Sequence, residues 1–165
     1  MIYGAHLFSN AGKIIGIEVN KELCDVQNHV IQTFGFSSRT SVINAEMTTR
    51  PDIFALADVV ILNNVFEWFV EVENQNQMWH FICNHINVGA IIVTLPSLEK
   101  AISTTTLGIS LEQWVRPLNH TRPDIMDSVE GSNFDKDVYI YQVLSKPVFS
   151  NVNQTVGNVL NEADM

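Results

Sequence analysis

The chain has 165 residues, of which 46% are hydrophobic and 16% charged, enough to bury a core and too apolar for a disordered chain. Its formal net charge of −9, from 18 acidic against 9 basic residues, argues against sequence-independent nucleic-acid binding, which needs basic side chains to neutralise phosphates. The longest apolar runs, such as Val59 to Leu62 and Ala90 to Val93, are far too short to cross a bilayer, and the first residues lack the basic start and apolar centre of a signal peptide, so an intracellular protein with no membrane partner is expected.

In chain order, Ala5 to Phe8 reads as the last turn of a helix, and Ser9 to Gly12 as a loop. Lys13 to Ile17 is a short apolar strand that ends on Glu18. Asn20 is placed to cap a helix whose Leu23, Val26, Val30, Ile31 and Phe34 recur at helical spacing, with Gly35 placed to end it. A second strand spans Ser41 to Asn44, and Pro51 starts a brief helix. Asp58 to Leu62 is the clearest strand of all and runs into Asn63-Asn64-Val65-Phe66-Glu67-Trp68. A polar helix over Val72 to Ile86 should turn Met78, Phe81 and Ile82 inward, and Ala90 to Leu95 is the next strand. Ile109 to Val115 and Asp137 to Leu144 read as a closing pair of strands around a long loop, and Asn151 to Met165 as a flexible tail.

This alternation predicts a Rossmann-like, doubly wound α/β fold. Its mostly parallel sheet carries an antiparallel hairpin at one edge, and residues 1–150 form one domain. Cys24 and Cys83 lie in helical patterns among apolar neighbours, which favours buried free thiols over a disulfide. His80, Cys83 and His85 do not make a metal site, because His85 is turned away from the other two and no second ligand cluster exists.

Ligands of open α/β sheets bind beyond the carboxyl ends of the strands. Three strand ends carry chemistry there: Glu18-Val19-Asn20, Asn44-Ala45-Glu46-Met47 and Asn63-Asn64-Val65-Phe66. In this order the chain resembles a class I S-adenosylmethionine-dependent methyltransferase over about Met1 to Leu144. The resemblance implies S-adenosyl-L-methionine as cofactor. Glu18 would hold the ribose hydroxyls, Val19 would pack on adenine, Glu46 would accept from the adenine amino group, and Met47 would border the ring.

The segment VVILNNVF also resembles the Asn-Asn stretch of histone lysine methyltransferases of the Dot1 type. That likeness implies methylation of a protein amine, lysine, with Asn63 and Phe66 as catalytic residues and a basic protein as partner. A carbonyl can orient an amine lone pair toward the sulfonium methyl, and an aromatic face can hold the developing cation. The same residues also read as a helix cap and a core phenylalanine, and Trp68 as either packing or a substrate contact.

The family's strand order is 3-2-1-4-5-7-6, and its first strand leads into a Gly-x-Gly turn that is absent from this sequence. The first strand is thus expected to be missing, as in a truncated form of a longer protein, unless the strands on either side pair directly. The chain is then expected to bind S-adenosylmethionine weakly or not at all. A catalytically inactive interaction module on the same fold is the alternative reading. A nucleotide-binding oxidoreductase shares an acid at the strand tip held here by Glu18, but the edge hairpin and the Glu46 position argue against that reading.

Overall fold

The computed structural model describes residues 1–63, 70–103, 105–118 and 138–149, and the expected tail lies outside them. The chain divides into two compact units, Met1–Pro51 and Asp52–Met165.

In the first unit, helix α1 (Ile2–Phe8) is followed by strand β1 (Ile14–Glu18), helix α2 (Lys21–Thr33) and strand β2 (Thr40–Asn44), with single 3₁₀ turns at Phe36–Ser38 and Met47–Thr49. β1 and β2 are parallel, from Ile14 opposite Thr40 to Glu18 opposite Asn44. Parallel strands need a crossover, and α2 supplies it. The Asn20 side chain accepts from the Leu23 N–H at 3.0 Å to start this helix. Gly35, with φ at +73°, follows it in the left-handed region that glycine enters without strain.

The core of this unit is Cys24, Ile31 and Val42, with Ile2, Tyr3 and Phe36 packed against it. Gly16 makes the approach of α1 possible, since a Cβ there would lie 3.1 Å from Ile2 Cδ1 and 3.3 Å from Val42 Cγ2. The inward face of α2 differs from the sequence expectation: Leu23, Val26 and Phe34 are 54%, 60% and 67% exposed. α2 carries two apolar stripes about a third of a turn apart, and the one beside Asn28, with Cys24 and Ile31, meets β2. Asn28 decides this orientation by bonding the backbone of Val42.

The second unit contains α3 (Pro51–Leu56), β3 (Val59–Asn63), α4 (Val72–His85), β4 (Ile91–Leu95), α5 (Leu98–Ala101), α6 (Leu111–Trp114), β5 (Val115–Pro117) and β6 (Tyr139–Val143). Its sheet has the order β3-β4-β6-β5, with β3 parallel to β4 and β6 antiparallel to both of its neighbours. Alternate residues of the strands face the core, so Ile92 and Thr94, and Tyr141 and Val143, are buried. Ile82, Cys83 and Ile86 of the α4 region, with Leu98 and Trp114, complete it.

Two expectations are corrected in this unit. α4 buries Trp79 and Cys83 beside Ile82, whereas Met78 and Phe81 are only half-buried. The larger ring of Trp79 takes the central position one residue on from Met78. The expected strand Ile109 to Val115 is instead the helical turn α6 leading into the short strand β5. Leu111, Glu112 and Gln113 are good helix formers, and the Trp114 N–H returns to the Ser110 carbonyl at 3.2 Å.

The α/β class, the parallel pairs and the antiparallel edge are as the sequence predicts. β1 lies in the two-stranded sheet and β3 in the four-stranded sheet.

Candidate functional site

Glu18 is the last residue of β1, and its Oε1 accepts from the Asn20 N–H at 2.8 Å. One carboxylate oxygen is thereby tied to the turn, leaving Oε2 and spare lone pairs for another donor. Val19, the next residue, is 71% exposed and offers an apolar side chain beside that acid. In the adjacent strand the Ala45 N–H donates to the Glu18 carbonyl at 3.1 Å. Asn44 Nδ2 donates to the same carbonyl at 3.0 Å and to the Val19 carbonyl at 2.9 Å.

Glu46 follows β2 and caps the turn Met47–Thr49, accepting from the Thr48 N–H at 3.1 Å and from the Thr48 hydroxyl. Its own carbonyl accepts from the Thr49 hydroxyl at 2.7 Å. Glu46 and Met47 are both half-buried. Glu18, Val19, Glu46 and Met47 thus all follow from the carboxyl ends of two neighbouring parallel strands in one unit. Two acceptor groups, each followed by an apolar side chain, suit a ligand with hydroxyl and amino donors around a flat apolar ring, such as a nucleoside. Sequence reasoning placed Asn44 at a strand end but gave no role to it or to Thr48. An asparagine ending a strand was a visible signal, but its role depends on the pairing register.

Asn63 ends β3 opposite Leu95 in the second unit. Its side chain, and Phe66 and Trp68 as a whole, lie outside the described residues. Beyond the end of β4, the Tyr141 hydroxyl accepts from the Leu98 N–H at 3.2 Å and donates to Glu99 Oε2 at 2.9 Å. Burial, with the Glu99 carboxylate, pushes the Tyr141 hydroxyl up to about 12. Burial pushes the Glu99 carboxyl up, but hydrogen bonds from its own backbone and from Tyr141 and Ser97 outweigh this and hold it below its ordinary value.

Cys24 and Cys83 are free and buried, as expected. Burial pushes the Cys83 thiol up to about 12. His85 Nδ1 lies 2.8 Å from the Phe81 carbonyl oxygen, and among the described residues no three His, Cys, Asp or Glu are grouped to hold a metal. No described helix is long and apolar enough to cross a membrane.

No protein-family model matches the sequence, and no match is found among curated proteins. Solved structures do match. A Haemophilus influenzae protein assigned as a methylase superposes with a TM-score of 0.51 and 20% identity, over 82% of this chain and 74% of that one. An rRNA methylase from Streptococcus thermophilus gives 0.51 and 11%, over 86% and 78%. A Streptococcus mutans protein assigned as a methyltransferase, in complex with SAH, gives 0.50 and 8%, over 80% and 76%. The chain therefore has the Rossmann-like α/β fold of S-adenosylmethionine-dependent methyltransferases of class I.

These neighbours overturn the partner expectation, which set a basic protein against nucleic acid because of the net charge. An rRNA methylase is among the chains with this fold. Physically, a charge summed over the whole chain does not fix the charge of a local patch.

Proposed function

We propose that this chain is an S-adenosylmethionine-dependent methyltransferase-type domain, and that its first unit receives the adenosine end of the cofactor. The observation that carries this reading is the pair of strand tips: Glu18 with one oxygen uncommitted to the turn, exposed Val19 beside it, and Glu46-Met47 on the adjacent strand. S-adenosylhomocysteine bound to a neighbour of the same fold supports the choice of ligand. Glu18 accepts from the ribose hydroxyls, Val19 and Met47 flank the base, and Glu46 accepts from its amino group.

The cofactor supplies a sulfonium methyl, and the residues at the end of β3 orient the acceptor. Asn63 and Phe66 are the residues this reading assigns to the acceptor. The neighbour named as an rRNA methylase favours a nucleobase amine in RNA as the acceptor class. The finer reading, a protein lysine, rests on the resemblance of Asn63-Asn64-Val65-Phe66 alone.

The sequence holds no Gly-x-Gly turn to approach the methionine end, so affinity rests on the adenosine end. Ligand-observed NMR with adenosine, S-adenosylhomocysteine and homocysteine tests this. The first two should bind within about threefold of each other, and homocysteine should not bind, because the apolar and hydrogen-bonding contacts are all to the nucleoside. Binding of none of them, or of homocysteine alone, removes the proposal.

A further inference from the structure

Within the proposed cofactor site, and resting on that reading, we infer that Asn44 is a positioning residue that sets the Glu18-Val19 tip for the ribose. The register makes the inference specific. In a parallel pair, alternate residues of a strand turn their backbone groups toward the partner. Arg39 and Ala45 turn toward β1, since the Ile14 N–H reaches the Arg39 carbonyl and the Ala45 N–H reaches the Glu18 carbonyl. Asn44 has the opposite parity, so its backbone faces away from β1. Its side chain instead reaches across and donates to the carbonyls of both Glu18 and Val19, at 3.0 and 2.9 Å.

The tip is consequently held at three points. The Ala45 N–H holds the last rung of the ladder, the Asn44 amide holds the two carbonyls at and beyond it, and the Glu18 carboxylate holds the Asn20 N–H at 2.8 Å. The carbonyl orientations of residues 18 and 19 fix the peptide planes on which both side chains are mounted. Removing the amide frees the Val19 carbonyl and lets the two peptide planes rotate, which moves the second carboxylate oxygen of Glu18, the one not tied to the turn, off the ribose.

A residue that only finishes the sheet would not act through Glu18, and a double-mutant cycle separates the two roles. Adenosine and 2′-deoxyadenosine affinities are to be measured by NMR titration of the wild-type chain, Asn44→Ala, Glu18→Gln and the double variant, with a melting midpoint for each. Asn44→Ala should weaken adenosine about fivefold, and should shrink the preference for adenosine over 2′-deoxyadenosine toward one. In the Glu18→Gln background the same change should cost less than about twofold. Asn44→Ser, which keeps one donor, should restore part of the loss and serves if Asn44→Ala does not fold. Equal losses for the two nucleosides, losses that add across the cycle, or unchanged affinity overturn the role of Asn44 alone. A wild-type chain that binds no adenosine overturns the cofactor reading, and this inference falls with it.

Discussion

The side-chain amide of Asn28 pairs with both backbone groups of Val42, donating to its carbonyl at 2.8 Å and accepting from its N–H at 3.0 Å. Val42 has the parity that faces away from β1, so these are the groups that β2 would otherwise leave open along its outer edge. A helix side chain thus stands in for a strand residue and blocks edge pairing.

Replacing Asn28 by leucine keeps the size but removes both partners from two partly buried backbone groups. The first unit should lose about 1–3 kcal/mol, read as a lower urea midpoint. Because the edge is then unblocked, the variant should also associate with rising concentration, visible by light scattering. A variant as stable and monodisperse as the wild type would show that Asn28 is incidental.

Arg39 closes the end of α1. Its guanidinium donates to the carbonyls of Ser9 at 2.9 Å and Ala11 at 2.7 Å, and to that of His6. The His6 and Ser9 carbonyls are among those a helix end leaves without partners, the Ala11 carbonyl belongs to the loop that follows, and a cation there also suits the helix dipole. Arg39→Met should cost about 1 kcal/mol, since the group is half exposed, and amide exchange over Ile2–Phe8 should quicken while that of α2 does not. Arg39→Lys should recover little, because an ammonium lacks the fork that reaches several carbonyls together.

Tyr141 gives the second unit a pH signature. Its raised pKa means the folded protein holds the phenolic proton more tightly than the unfolded chain does. That stability is present below the ordinary value of 10 and is lost as pH rises through about 12. Glu99 works at the other limit: its depressed pKa adds stability above the ordinary 4.5 that is lost as pH falls through the lower folded value. Tyr141→Phe should flatten the alkaline fall in melting temperature. At neutral pH it should cost about 1–3 kcal/mol by leaving the buried Leu98 N–H unpaired. An unchanged alkaline limb would detach Tyr141 from it.

Local signals were legible where one residue type has one use. Asn20 and Gly35 bracket α2 as read, and the apolar run ending on Glu18 is β1. The inward face of α2 was not, because Leu23, Val26 and Phe34 outnumber Cys24 and Ile31, and a polar residue, Asn28, selects the smaller stripe. The stretch around Leu111 misled for a related reason: its apolar ends suit a strand, while Leu111-Glu112-Gln113 also suit a helical turn. At the candidate site, acids at strand ends can be picked out by eye. Asn44 could not be, since its partners are set by the pairing of Glu18 with Asn44 across two strands far apart in sequence.

Binding at the strand tips is the central claim, and amide-resolved NMR titration with S-adenosylhomocysteine tests it most directly. Saturable shifts should concentrate on Glu18, Val19, Glu46 and Met47. Glu18→Ala should weaken binding about tenfold or more, as expected for a carboxylate accepting from two hydroxyls. Asn63→Ala should leave affinity within about twofold, since Asn63 is assigned to the acceptor. Shifts absent at millimolar ligand, or saturable shifts elsewhere that Glu18→Ala does not alter, would contradict the account.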